Sequence, residues 1–338
     1  MRLRYEQIDL RLRHAFTITR GSRDTVPVVI AAIEHDGITG VGEASPSQRY
    51  GENTGTVTAF LDRIDLSRFN DPFDLEPILR EVNGLSHGDA SAKAAVDIAL
   101  HDWIGKKLRI PLWRIWGCAA EDAPVTSFTI GIDTPEKMLA KAREAAAYPV
   151  LKVKVGVPND REYIALLHGA SRQRLRVDAN EGWRTREEAL EAILRLEELG
   201  VEFVEQPMPA DHLADTVWLR ERVHIPLIAD ESVKTAADIP LISQAFDGVN
   251  IKLMKCGGLR EALRMIHTAR SLSMKVMLGC MIESSVAISA AAQLSPLVDY
   301  ADLDGNLLII NDPYHGVEVK TGKLVLRNLP GIGVEKLS

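Results

Sequence analysis

Val150-Leu151-Lys152-Val153-Lys154-Val155 is a strand-length apolar run with two lysines set into it, and its outline recurs along most of the chain. One comparable run precedes it at 125–130. Six follow, at 175–179, 201–204, 226–229, 248–253, 275–279 and 299–303. Helical patterns separate the runs. The clearest spans 184–199, opened by the capping box Thr185-x-x-Glu188 and closed by Gly200. Eight units of about 25 residues predict a parallel α/β barrel rather than an open sheet.

Upstream of residue 120 the rhythm differs. Residues 4–16 alternate charged and apolar side chains, 26–33 is a β-branched run, and His35-Asp36-Gly37 turns the chain into 38–43, which together predict an antiparallel meander. Helices follow, the surest at 89–107, which is rich in alanine. The expected organisation is an α+β unit over 1–118, a barrel over 119–308, and a tail over 309–338 that returns to the first unit. Residues 316–326 of that tail read as strand.

The 338 residues carry 46% hydrophobic and 26% charged side chains, ordinary usage for a folded chain with a sizeable core. The net charge of −7 gives no cationic footprint, so neither nucleic acid nor a membrane surface is an expected partner. The longest uncharged stretch, 284–298, is too short and too rich in Ser and Ala to span a bilayer. Cys118, Cys256 and Cys280 are odd in number and scattered, and no apolar leader opens the chain, so the cytosol is the expected compartment.

Buried parallel strands are nearly all apolar, so charges at their ends are the informative residues. Lys152 and Lys154 sit in the second run, Asp178 closes the third, and Glu205 the fourth. Asp230 and Glu231 close the fifth, Lys252 the sixth, and Asp302 and Asp304 the eighth. From Lys154 the successive intervals to Asp178, Glu205, Asp230 and Lys252 are 24, 27, 25 and 22 residues, one βα unit each. Groups displaced by one unit converge on the carboxyl-terminal mouth of a barrel. Asp178, Glu205 and Asp230, an all-oxygen set on three successive strands, suit one Mg²⁺ ion, with Mn²⁺ as an alternative. A lysine beside a dication and a second lysine has its pKa lowered toward neutrality, which makes it a usable base. Lys154 and Lys252, four strands apart, face each other across the mouth. Such a pair can take a proton from one face of a carbon acid and return one to the other.

These motifs, Lys152-Val-Lys154, Asp178-Ala-Asn180, Glu205-Gln-Pro207, Asp230-Glu-Ser232, Asn-Ile-Lys252 with Gly257-Gly258, and Asp302-Leu-Asp304, resemble the muconate-lactonising branch of the enolase superfamily. The likeness is nearest to its dipeptide epimerases, typified by L-Ala-D/L-Glu epimerase, and covers essentially the whole chain. It implies a (β/α)7β TIM-like barrel with an α+β cap, Mg²⁺ on the three carboxylates, and Lys154 and Lys252 as the two acid/base catalysts. Lys152 would contact the substrate carboxylate and depress Lys154, while Lys255 would belong to the following loop. Asp302 and Asp304 would take the substrate ammonium, which distinguishes dipeptides from the anionic substrates of N-acylamino acid racemase, o-succinylbenzoate synthase or muconate cycloisomerase. Arg23, or Arg20, from the loop 19–23 would pair with a glutamate side chain, and Thr129 would touch the peptide. The activity implied is epimerisation of a dipeptide, L-Ala-L-Glu to L-Ala-D-Glu and back, in murein peptide metabolism, by an expected homo-oligomer. A silent barrel serving as a binding protein would not need this intact set of acids and lysines.

Overall fold

The computed structural model describes residues 1–18, 21–157 and 160–337. Strands β1 (Arg2–Ile18), β2 (Gly21–His35) and β3 (Ile38–Ala44) form the expected antiparallel meander, with a register shift in β1 between Arg11 and Phe16. Asp36 and Gly37 turn β2 into β3 with positive φ of 51° and 71°, the backbone that a two-residue hairpin loop demands. After α1 (Thr54–Leu61) and α2 (Leu75–Gly84), the Ala-rich α3 (Ala90–Leu108) lies across β3. Side chains at Gly40 and Gly42 would run into the backbone of Ala99 and Ala95, so helix and sheet meet at a distance that only small residues allow.

The barrel follows α4 (Leu112–Ile115). Its strands are β4 (Phe128–Ile130), β5 (Val150–Lys154), β6 (Arg174–Asp178), β7 (Val204–Glu205), β8 (Leu227–Ala229), β9 (Gly248–Ile251), β10 (Lys275–Gly279) and β11 (Tyr300–Asp302). All are parallel and pair in chain order, and a bridge between Thr126 and Ala301 joins the last strand to the first. The intervening helices are α5 (Pro135–Glu144), α6 (Asp160–Ala170), α7 (Arg186–Glu198), α8 (Leu213–Arg220), α9 (Ile239–Ile242), α10 (Leu253–Cys256), α11 (Leu259–Ser271) and α12 (Ser285–Ala292). Each predicted run overlaps one of these strands, with β6 starting one residue before its run and β7 ending one residue after its run. No helix among the described residues is long and apolar enough to cross a membrane.

Helix α7 corrects a detail of its expected cap. The Thr185 hydroxyl accepts the Glu188 amide at 3.2 Å, but the Glu188 carboxylate accepts from Arg184 N at 3.1 Å rather than from Thr185 N, so the box is not reciprocal. At the other end Gly200 N donates to Glu197 O and Val201 N to Leu196 O, the Schellman arrangement that a glycine at φ 68° permits.

Acids of the first unit plug helix ends of the barrel. Glu43 of β3 accepts from Ser284 N at 2.9 Å and Ala287 N at 3.1 Å at the start of α12, and Asp97 of α3 accepts from Leu259 N at 2.6 Å at the start of α11. Helix N-termini carry unpaired amides and a positive dipole end, so these carboxylates fix the orientation of the two units. The tail adds β12 (Tyr314–His315), β13 (Glu318–Lys320), β14 (Lys323–Val325) and β15 (Glu335–Lys336). It touches the first unit at Asn311, whose Oδ1 accepts from Arg11 N at 2.7 Å, and at Ile332, whose amide donates to Asp102 at 2.9 Å.

Candidate active site

Register brings the charges to one level. Lys154 of β5 lies opposite Asp178 of β6, Asp178 opposite Glu205 of β7, and Glu205 opposite Ile228 of β8, two residues before Asp230. Lys152 and Lys154, alternate residues of one strand, share the inward face, and Lys252 stands just beyond β9 on the far side. One oxygen from each of Asp178, Glu205 and Asp230 lies within 4.8 Å of the others. Hard oxygen donors in that number and spacing fit a divalent cation such as Mg²⁺.

Lys154 Nζ meets Asp178 Oδ2 at 2.6 Å, and Lys252 Nζ meets Asp230 Oδ2 at 2.8 Å. Lys152, only 1% exposed, reaches Asp302 Oδ2 and Glu205 Oε2 at 2.7 Å each and Asp178 Oδ2 at 3.1 Å. Its contact with Glu205 is an ion pair without hydrogen-bond geometry. Burial pulls the ammonium of Lys252 downward, but Asp230 and Glu205 outweigh it and hold the pKa well above the ordinary lysine value. Lys152 is held up in the same way by Asp302, Glu205 and Asp178. Neither Lys252 nor Lys152 is depressed toward neutrality by its surroundings, because carboxylates in direct contact with each ammonium outweigh its burial. The acids respond in turn. Asp178 and Asp230 resist burial and stay below the carboxylate range through their lysine partners, whereas burial and Asp178 push Glu205 up to about 7.

Lys255 needs a correction. It is not in a loop but in the four-residue α10, fully buried, with Nζ at 2.5 Å from Asp230 Oδ1, 2.6 Å from Asp230 O and 3.0 Å from Asn250 O. Sequence reasoning also passed over Asn250, whose amide donates to Glu205 Oε1 at 2.7 Å. Both had a signal: Asn250 is two residues before Lys252 on a strand, and Lys255 is one helical turn after it.

A cavity of about 380 Å³ opens above these groups, lined by Lys152, Lys154 and Lys252 and by Asp302 and Asp304. Asp302 is already engaged by Lys152 and by Ser127 Oγ at 2.5 Å. Thr129, buried on β4, donates its amide to Asp304 Oδ2 at 2.7 Å and its hydroxyl to Asp302 at 3.4 Å. Burial and the neighbouring Asp302 push Asp304 up to about 7. The distal wall is apolar, with Leu12, Phe16, Val26 and Leu308, and Arg23 stands exposed at its rim. Arg20 lies outside the described residues. Cys280 and Met281 line the cavity, and burial raises the Cys280 thiol well above its ordinary value, which leaves it no nucleophile.

Residues 5–117 match the mandelate racemase / muconate lactonizing enzyme N-terminal domain, and 136–336 match the enolase C-terminal domain-like family. The chain is 50% identical over 338 residues to an L-Ala-D/L-Glu epimerase of Bacteroides thetaiotaomicron, covering 100% of this chain and 88% of the relative. Among solved structures it resembles a substrate-liganded L-Ala-D/L-Glu epimerase of Bacillus subtilis, with TM-score 0.93, 30% identity, and 99% and 98% of the two chains covered. It also resembles a dipeptide epimerase of Methylococcus capsulatus complexed with Mg and L-Arg-D-Lys, with TM-score 0.90, 34% identity, and 98% of both chains covered.

Proposed function

The chain belongs to the mandelate racemase / muconate lactonizing enzyme family of the enolase superfamily, and from that premise we propose that it is a Mg²⁺-dependent dipeptide epimerase acting on L-Ala-L-Glu and L-Ala-D-Glu. The observation that carries this reading is the pair of lysines, Lys154 and Lys252, on opposite sides of one cavity and flanking an acidic triad. Asp178, Glu205 and Asp230 would hold the cation, which supplies positive charge to stabilise an enolate of the substrate carboxylate. The α-carbon of the C-terminal residue sits between the lysines. The unprotonated amine of one takes the α-proton, and the ammonium of the other delivers a proton to the opposite face. The configuration inverts, and the proton lost equals the proton gained. Lys152 holds the substrate carboxylate end, and Asp304 accepts the ammonium end with Thr129 fixing its carboxylate. Asp302 contributes mainly by positioning Lys152. Residues 1–118 and 309–338 would form one cap over a barrel at 119–308, a division supported by the contacts of Asn311 and Ile332 with the first unit. The three unpaired cysteines fit a cytosolic site of action.

Arg23 at the rim would pair with the glutamate side chain. The apolar distal wall favours a second reading, a dipeptide with an apolar C-terminal residue. Incubation with L-Ala-L-Glu and Mg²⁺ in D₂O, followed by NMR, should show loss of the α-proton signal together with appearance of L-Ala-D-Glu. No exchange on any dipeptide defeats the proposal. Exchange on L-Ala-L-Leu but not L-Ala-L-Glu selects the second reading.

A further inference from the structure

Each acid of the triad is gripped from two sides. One oxygen faces a lysine of the cavity, and the other accepts from a second donor: Asn180 N to Asp178 Oδ1 at 2.9 Å, Asn250 Nδ2 to Glu205 Oε1 at 2.7 Å, and Lys255 Nζ to Asp230 Oδ1 at 2.5 Å, the last two from residues that do not line the cavity. From this pattern we infer that Asn250 and Lys255 are positioning residues that restrict Glu205 and Asp230 to one ligating oxygen each, so that the site selects a small octahedral cation over Ca²⁺. The inference rests on the metal reading proposed above.

Neither residue is placed to touch a substrate. Lys255 has three ammonium protons and three acceptors, Asp230 Oδ1, Asp230 O and Asn250 O, with its side chain fully buried. Asn250 is also fully buried, and its Oδ1 has no hydrogen-bond partner. A buried amide with an unpaired carbonyl costs stability, and what the amide accomplishes here is the bond from Nδ2 to Glu205. The neighbouring strand makes room for it: a Cβ on Gly279 would lie 2.5 Å from Asn250 Oδ1 and 2.8 Å from Nδ2.

The consequence follows from cation chemistry. Ca²⁺ takes six to eight oxygens and accepts chelating carboxylates, whereas Mg²⁺ needs near-ideal octahedral geometry with six. With their rear oxygens occupied, the three acids offer one oxygen each and leave three positions for substrate and water. Release of either rear oxygen would let Glu205 or Asp230 chelate and would favour the larger ion.

The test is calorimetric titration of the metal-free protein with MgCl₂ and with CaCl₂, for wild type, Asn250→Ala and Lys255→Met. Wild type should prefer Mg²⁺. In each variant the ratio of Mg²⁺ to Ca²⁺ affinity should fall by about tenfold, in line with the weight of residues that orient metal ligands. An unchanged ratio, including equal weakening of both ions, overturns the inference. Lys255→Met leaves Asp230 with one lysine fewer and can fail to fold. Asn250→Ala removes no charge, and a crystal structure of the wild type with Mn²⁺ needs no variant. Glu205 and Asp230 must each bind Mn²⁺ through one oxygen; chelation by either overturns the inference. Wild type that binds no Mg²⁺ removes the metal reading and this inference together, whereas Mg²⁺ binding with an unchanged ratio removes this inference alone.

Discussion

Lys152, Lys154, Lys252 and Lys255 surround Asp178, Glu205, Asp230 and Asp302; Lys152 and Lys154 share Asp178 Oδ2, whereas Lys252 and Lys255 take opposite oxygens of Asp230. The proposed base pair can be separated by substitution. Lys252→Ala should lower kcat for epimerisation by at least about 10³-fold, within the usual weight of a positioned acid or base. In D₂O it should still exchange the α-proton of one enantiomer through Lys154. Full epimerisation by this variant would end the two-base scheme. Asp304 sets a pH limb. With its carboxyl near 7 in the free protein and the ionised form needed for an ammonium, kcat/KM should fall about tenfold per unit as pH drops below that value. Asp304→Asn should abolish that limb while lowering kcat/KM above it; a limb that survives the substitution belongs to another group. Sequence spacing located Lys154, Lys252 and the triad, because strand ends in a barrel have one destination. It could not tell which oxygen each lysine would meet, since that depends on side-chain directions set by neighbouring strands.

Among the elements, β3 and α3 show how composition becomes distance. Ala95 and Ala99 face Gly42, and a Cβ at Gly42 would sit against the Ala95 carbonyl and 2.8 Å from Ala99 N. Gly42→Ala should therefore destabilise the protein by about 1–3 kcal/mol through overpacking, read by urea unfolding, while leaving Mg²⁺ affinity of the folded protein unchanged. A neutral outcome would mean that helix and sheet part at little cost. The barrel strands were legible because buried parallel strands are short apolar runs at regular intervals. The run 248–253 was read two residues too long. The chain leaves β9 at Ile251 and enters α10 at Leu253, so Lys255 turns back toward Asp230 instead of trailing into a loop. A one-turn helix is too short to show a period.

Across the whole molecule, Glu43 of the cap and Glu283 of the barrel are both buried, and the charge of Glu43 is felt by Glu283. Burial raises Glu43 to about 7, and burial together with Glu43 raises Glu283 to about 8. A carboxyl whose folded pKa exceeds its unfolded value of 4.5 is protonated more in the folded chain. Folding then takes up protons, and stability declines as pH rises from about 4.5 to about 8. Urea unfolding of the metal-free protein should give a lower stability near pH 8 than near pH 5, and Glu283→Gln should flatten the difference. An equal slope in both proteins would show that the interface between the units does not titrate there.

The sequence by itself determined the barrel, the meander before it and the level at which the charges gather. Strand length, hydrophobic period and one-unit spacing are local quantities, and a closed parallel barrel translates them into place without further information. Only the tertiary structure decided that Asp302 is a partner of Lys152, that Asn250 and Lys255 grip the acids from behind, and that Glu283 feels the charge of Glu43. Each joins residues far apart in the chain through contacts of 2.5–2.7 Å or through shared burial, and such contacts depend on how strands tilt, how helices dock and which rotamer fits. No periodic pattern in the chain encodes those, because they arise from packing the whole molecule at once.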